Sequence, residues 1–402
     1  MILRGVLAVA IMFVTGGLSA VPVTAATAEP TLVGRSILAA EATAPAPFPG
    51  IPNEDPAPAP GSTQPVGGFS ALIDAPGTDT YFAMPDNGFG SKANSRSFLL
   101  RLYRIRADWE TMRGGDGEVE ILDWITLHDP DHHIPFEIVT EGSTDRLLTG
   151  GDFDLESIRT DRQGDLWFGE EFGPFLLHTD ATGRVLEAPI PLPDVKSPDY
   201  PTGYPAPYEG PPNLGRSNGF EGMALSADGS KLYPVLEGPV DGDDATTRRM
   251  YEFDLHSLSY TGIVRTYEVG DPSFLVSDLI ALDKRRFIAL ERDNFEGANA
   301  QHKRAFVVDV RDSADAVLPK REIVDLLHLA DPSGISLPGR PGDIGLGDPF
   351  SMPYVTIEAV LPIGGPRLAF VNDTNFGSRG RNPDLPDYSD FVIVSIPSLR
   401  GR

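Results

Sequence analysis

Carboxylates recur in this sequence at two kinds of position. Glu156, Glu221 and Glu358 each open a short apolar run, with Ser70, Ser277 and Asp278 at corresponding places. Asp86, Glu170, Glu171, Glu237, Glu291, Asp293 and Asp373 each close a second apolar run, joined there by Asn87, Asn372 and Asn375. Oxygen donors gathered in this way are ligands for a hard divalent cation, calcium first. Without a cation they repel one another until some take up protons. The same loops carry Lys92, Arg96, Arg248, Arg249, Lys303, Arg304, Arg379 and Arg381. Such cations either neutralise the carboxylates or hold an anionic group against a bound metal. The plainer alternative is that the first-run glutamates only tie neighbouring strands by accepting backbone N–H groups.

Other motifs point less firmly to chemistry. His128, His132 and His133, with Asp129 and Asp131, put three of the seven histidines in one loop. Imidazole with carboxylate suits a transition metal, but the spacing fits no specific template, and a polar surface loop is the competing reading. Gly215-Arg216-Ser217-Asn218-Gly219 has the spacing of a serine-nucleophile elbow. That motif works at a sharp strand-to-helix turn, whereas here a Pro- and Gly-rich loop leads into a strand-like run. There is no P-loop, no H-E-x-x-H and no complete EF-hand loop. The chain has no cysteine, which excludes thiol catalysis, zinc–thiolate sites and disulfides.

The elements that must position these residues form a repeat. Five times a short strand is followed by a turn and a second strand that ends in an acidic or Asn-containing loop. The copies are 69–72 with 81–88, 155–158 with 166–173, 220–223 with 231–238, 276–279 with 286–294, and 357–360 with 367–375. Asp228-Gly229 and Gln163-Gly164-Asp165 are hairpin-turn signals. Third strands are expected at 99–105, 175–178, 250–255, 305–310 and 391–396. Fourth strands are expected at 119–127, 185–192, 262–269 and 322–329. Four antiparallel strands, repeated, predict an all-β propeller. The fifth copy lacks a fourth strand of its own, and residues 31–38 are expected to supply it and close the ring. Five blades are expected, with six as the alternative. In such a fold the starts of first strands and the ends of second strands share one rim, so the repeated carboxylates converge at one mouth of the channel.

Of 402 residues, 58 are acidic and 33 basic, a formal net charge of −25. That field repels nucleic acid and anionic membranes and favours cations. The start of the chain reads as a secretory signal over 1–28: Arg4, an apolar run over 5–18, then small residues up to Ala26-Thr27-Ala28. Later apolar runs are too short to span a membrane, so no membrane insertion is expected. Residues 29–66 are expected to be an N-terminal strand with a Pro- and Ala-rich arm, and 67–402 the propeller. A second Pro-rich stretch covers 189–212. A secreted protein, extracellular or periplasmic, is expected, acting as a monomer.

The repeats resemble the phytase-like propeller family described by an esterase-like activity of phytase. The residues that carry the likeness are Pro85-Asp86-Asn87-Gly88-Phe89-Gly90, Asp154-Leu155-Glu156-Ser157 with Gly169–Pro174, and Asn218-Gly219-Phe220-Glu221-Gly222 with Leu236–Pro239. Leu290–Asn294 and Val371–Phe376 complete it. The resemblance covers about residues 66 to 398 and implies hydrolysis of esters or phosphate esters, by analogy with calcium-dependent propeller phytases. The chain lacks a clear full set of phosphate-binding bases, which argues against phytate as substrate. On this reading Asp86, Glu156, Glu170, Glu221, Glu237, Glu291, Glu358 and Asp373 hold Ca²⁺, and Glu156, Glu171 and Glu221 act in catalysis. Arg96, Arg249, His302 and Arg379 then orient a small anionic ester. The alternative is a non-catalytic propeller that binds a ligand or protein and uses calcium structurally.

Overall fold

The structure is a computed structural model that describes residues 29–46, 62–310 and 317–400. The expected signal, 1–28, lies outside the described residues, as does most of the Pro- and Ala-rich arm. β1 (Thr31–Leu38) leads, and β2 (Thr43–Pro45) and β3 (Thr63–Pro65) pair with each other across the arm. Four antiparallel runs of four strands follow. The first is β4 (Phe69–Asp74), β5 (Thr80–Pro85), β6 (Arg101–Asp108) and β7 (Glu118–Thr126). The second is β8 (Leu155–Thr160), β9 (Leu166–Glu170), β10 (Phe175–Thr179) and β11 (Ile190–Pro191). The third is β12 (Phe220–Leu225), β13 (Lys231–Leu236), β14 (Thr247–Asp254) and β15 (Ser259–Glu268). The fourth is β16 (Leu275–Ala281), β17 (Arg286–Arg292), β18 (Lys303–Asp309) and β19 (Lys320–Asp325). Then come β20 (Thr356–Pro362), β21 (Arg367–Asp373) and β22 (Ser389–Ser395). Helix is confined, among the described residues, to two short 3₁₀ turns.

β1 pairs antiparallel with β22, from Thr31 opposite Ser395 to Leu38 opposite Ser389, and so completes a run β20-β21-β22-β1. The strands therefore make three separate four-stranded sheets and one eight-stranded sheet, plus the β2–β3 pair. The eight-stranded sheet is two antiparallel runs joined at one place, where β1 meets β7 in parallel with Ile37 opposite Glu118. Both edges of the N-terminal strand are thus occupied, which leaves less open ladder for another chain to pair with.

Local chemistry explains the strands and one exception. Between β12 and β13, Gly229 takes a φ of +64°, and Ser226 and Asp228 accept the N–H groups of Lys231 and Ser230. The fourth strand expected over 185–192 shrinks to two residues. Pro189, Pro191 and Pro193 have no N–H to offer a ladder, and Val185 keeps only a single bridge to Thr179.

The first strand of each run packs on the next: β4 on β8, β8 on β12, β12 on β16, β16 on β20, and β20 back on β4. Between neighbouring runs lies an apolar core. Leu102, Ile158 and Phe168 fill one, Trp167, Phe220 and Phe253 the next, and Leu279, Phe287 and Met250 a third. Ile288, Val360 and Phe370 fill a fourth, and Phe69, Tyr103 and Phe391 the fifth. Each such large apolar side chain contributes about 1.5–3 kcal/mol on burial. The inner strands come close enough to exclude side chains: a Cβ on Gly222 would lie 2.7 Å from the Leu279 backbone nitrogen.

Candidate active site

In all five first strands the pairing with the second strand slips by one residue at the same place. The residues left over are Ser70, Glu156, Glu221, Ser277 and Glu358. An extra residue in one strand bends it and re-aims a side chain. Here it turns Glu156, Glu221 and Glu358 into a cavity of about 400 Å³ inside the ring of first strands. Ser70 donates to Glu358 Oε2 at 3.1 Å, and Ser277 donates to the Ile357 carbonyl at 2.7 Å.

The same slip sorts the second-strand ends. Opposite the residues just before it stand Pro85, Glu170, Leu236, Glu291 and Asn372. One position on, Asp86, Glu171, Glu237, Arg292 and Asp373 line the cavity. Neighbours in a strand face opposite ways, so the two sets separate. Four copies of the inward position are acidic and one is arginine. Asp154, two residues before the slip, adds an eighth lining carboxylate.

Eight carboxylates thus share one cavity, and one buried guanidinium lies among them. Arg292 Nη2 is 2.7 Å from Glu237 Oε1, 3.3 Å from Glu358 Oε1 and 3.6 Å from Glu221 Oε1, and Arg292 also bonds the Asn294 side chain. Two carboxylates accept backbone N–H groups from neighbouring segments, Asp154 from Asn87 at 3.2 Å and Glu171 from Gly219 at 2.8 Å, and Asp373 accepts the N–H of Asn375 within its own turn at 2.8 Å. Asn218 donates to Glu237 at 3.2 Å.

Burial is the first cause that drives these carboxyls upward, and mutual repulsion adds to it. Asp154 is pushed up to about 6 and Asp373, beside Glu358, to about 8. Asp86, Glu156, Glu171 and Glu221 are raised well above the ordinary range. Glu237 and Glu358 are raised too, although Arg292 pulls against the shift.

The donor set suits a hard cation. Asp86, Asp154 and Glu156 offer oxygens all within 4.8 Å of one another, as do Glu156, Glu221 and Glu358, and Glu171, Glu221 and Glu237. A separation of that size is about twice a calcium–oxygen bond of ~2.4 Å. Glu156 and Glu221 each belong to two triads, so the three form a continuous chain of oxygen donors.

Several residues expected at the mouth stand elsewhere. Glu170 turns away and caps the N–H groups of Phe172 and Gly173 at 2.8 Å each. Glu291 turns outward to Tyr267, Lys320 and His302, the last at 3.1 Å. His302 is also stacked on Phe274, with ring centroids 3.8 Å apart. Arg249 is held by both oxygens of Asp243 at 2.7 Å. Arg379 is exposed, and its backbone N–H donates to Glu296. Arg96 packs beside Gly151. None of these six lines the cavity. Asp278 salt-bridges Arg159 at 3.0 Å and accepts the Val360 N–H, tying two first strands together. In the histidine loop Asp129 is consumed by Arg146 and by the backbone of His133 and Ile134. Ser217 has a φ of +51° and lies at the lip, but its segment opens onto the strand β12 rather than a helix.

Three charged lining groups, Asp154, Arg216 and Arg292, have no role assigned from the sequence. Lining up the ends of the five second strands finds Arg292, as the basic member of the column Asp86, Glu171, Glu237, Arg292 and Asp373. Asp154 falls in the column of Gly68, Gly219, Leu275 and Thr356, which gives no hint of charge.

A family model described as "Phytase-like: Esterase-like activity of phytase" matches residues 64–376. The chain is 26% identical over 286 residues to an uncharacterized secreted protein of Arthroderma benhamiae, in an alignment that spans 55% of this chain and 56% of that protein. Among solved structures it is similar to a luciferin-regenerating enzyme, with 12% identity, 85% and 82% of the two chains covered and a TM-score of 0.39. It is also similar to the PQQ-bound aldose sugar dehydrogenase of Streptomyces coelicolor, with 13% identity, 92% and 100% covered and a TM-score of 0.34. Among the described residues no helix is long and apolar enough to cross a membrane.

Proposed function

The chain belongs to the phytase-like family, and from that premise we propose that it is an exported, calcium-assisted hydrolase of phosphate esters or related esters. The closed ring of first strands is read as a five-bladed propeller, with its working site in the carboxylate-lined cavity. The observation that carries the reading is the excess of carboxylate over guanidinium there, eight against one buried arginine. Such an excess is relieved by protons or by a cation, and the oxygen triads suit calcium.

Asp86, Asp154, Glu156, Glu221, Glu358, Glu171 and Glu237 would hold the metal through the three triads. A divalent cation there supplies charge against the carboxylates and the leaving oxygen of the ester. The chain's own groups handle the protons. Burial and like-charged neighbours raise Glu156 and Glu221 well above the ordinary range, which favours their protonated form relative to an exposed carboxyl. An ionised member of the set Glu156, Glu171 and Glu221 takes a proton from water as the water oxygen bonds to phosphorus or to the acyl carbon. The bond from phosphorus or acyl carbon to the alcohol oxygen breaks, and a protonated member returns a proton to that oxygen.

A second reading, a ligand-binding propeller with structural calcium, is favoured by the backbone N–H groups that Asp154 and Glu171 accept across neighbouring runs. The deciding experiment assays phosphate monoesters, diesters and short acyl esters, each with calcium and with a chelator. Calcium-dependent turnover of a phosphate ester is expected. No turnover on any ester, with a chelator-sensitive melting temperature, selects the binding protein.

A further inference from the structure

We propose that Arg216 anchors the anionic group of the substrate and that Asp199 holds it ready in the free protein; the inference rests on the hydrolase reading above. Arg216 and Arg292 are the cationic side chains among the described residues lining the cavity. Arg292 is 8% exposed and already shared by Glu221, Glu237 and Glu358. Its charge is committed within the carboxylate ring. Arg216 is 63% exposed at the lip and ion-paired with Asp199.

The backbone around Arg216 is fixed to the same ring. The Gly219 N–H donates to Glu171, and Asn218 donates to Glu237. Leu214 bridges Val240 on the other side of the segment. The guanidinium is therefore carried on an anchored loop while its tip faces solvent. The Arg216 end of the pair stands in water although the Asp199 side chain is only 15% exposed, so the pair is weak and exchanging the Asp199 carboxylate for a substrate oxyanion costs little. The guanidinium fork suits two oxygens of a phosphate, which a neutral amide cannot replace. Asp199 acts as a positioning residue that competes with the ligand for the same fork.

The test measures binding of inorganic phosphate by calorimetry, with and without calcium, to the wild-type protein and to Arg216→Gln, Arg216→Lys and Asp199→Asn. Arg216→Gln should weaken phosphate binding about 10-fold or more, Arg216→Lys should recover part of it, and Asp199→Asn should tighten it. Equal affinity in wild type and Arg216→Gln, or no phosphate binding by the wild type, overturns the proposal. Ester hydrolysis is read separately. Turnover with an unchanged KM in Arg216→Gln refutes the anchor alone. Phosphate binding lost in Arg216→Gln, without turnover by the wild type, supports the anchor and refutes the hydrolase.

Discussion

The central cavity and the cluster around Glu291 both bury carboxylates drawn from the same repeat, and their electrostatics are opposite. Burial works to raise Glu291, but His302, Lys320 and Tyr267 together hold it below the ordinary carboxylate range. In the cavity, burial and like-charged neighbours act in the same direction, and Glu156 and Glu221 rise well above that range. Asp390 repeats the first pattern, flanked by Arg35 and Arg381 at 2.8 and 3.1 Å and held low despite full burial. Matched buried charge is scaffold. Buried charge of one sign is relieved by protons or by a cation.

The largest expected effect comes from exchanging one glutamate in each region. Glu156→Gln should reduce calcium-dependent turnover about 10³-fold, with the fold retained by circular dichroism. Glu291→Gln should leave turnover within a small factor and destabilise by about 3 kcal/mol in denaturant unfolding, because it strips a buried partner from Lys320 and His302. The reverse ranking would place the chemistry outside the cavity.

Arg292→Met sharpens the contrast from the cationic side. Without its internal guanidinium the cavity should lose about 2–4 kcal/mol of stability under chelation, and calcium should restore more stability than it adds to the wild type. Equal calcium responses by thermal melting would mean that Arg292 and the metal do not share ligands.

A smaller effect is expected from pH. The cavity carboxyls titrate higher in the folded chain than in the unfolded one, so the folded state takes up protons between the two values. Their contribution is fully present below the unfolded carboxylate range, at about pH 4. It declines as pH rises through about 6 for Asp154 and about 8 for Asp373. Under chelation the melting temperature should therefore fall by a few degrees, on the order of 1 kcal/mol or more, between these limits. Calcium favours the ionised carboxylates, so its stabilising effect should grow over the same interval. A calcium effect independent of pH would separate the metal from these groups.

Much of the architecture was legible in the chain. Short apolar runs, Gly-containing turns and the shared plan of five copies specify antiparallel strands in repeated order, because alternation and turn chemistry are local. The count of strands also pointed to residues 31–38 as partner of the last run. The 185–192 run carries a strand-like apolar pattern, but Pro189 and Pro191 within it and Pro193 just after it remove donors that a ladder needs. The site was legible as a set of acidic columns but not as a list of neighbours. Glu170 and Glu171 are adjacent in sequence, and one caps a turn while the other faces the cavity.

The sequence by itself determined the strands, their repeat, the acidic balance and the columns in which carboxylates fall, since all of these depend on residue type and short-range spacing. Only the tertiary structure decided which member of each acidic pair turns inward, that Asp154 joins them, and that Arg292 is the cation among them. The reason is the one-residue slip shared by the first strands. It changes side-chain direction without leaving a composition signal, and its consequence for charge appears only when the ring brings every copy to the same cavity.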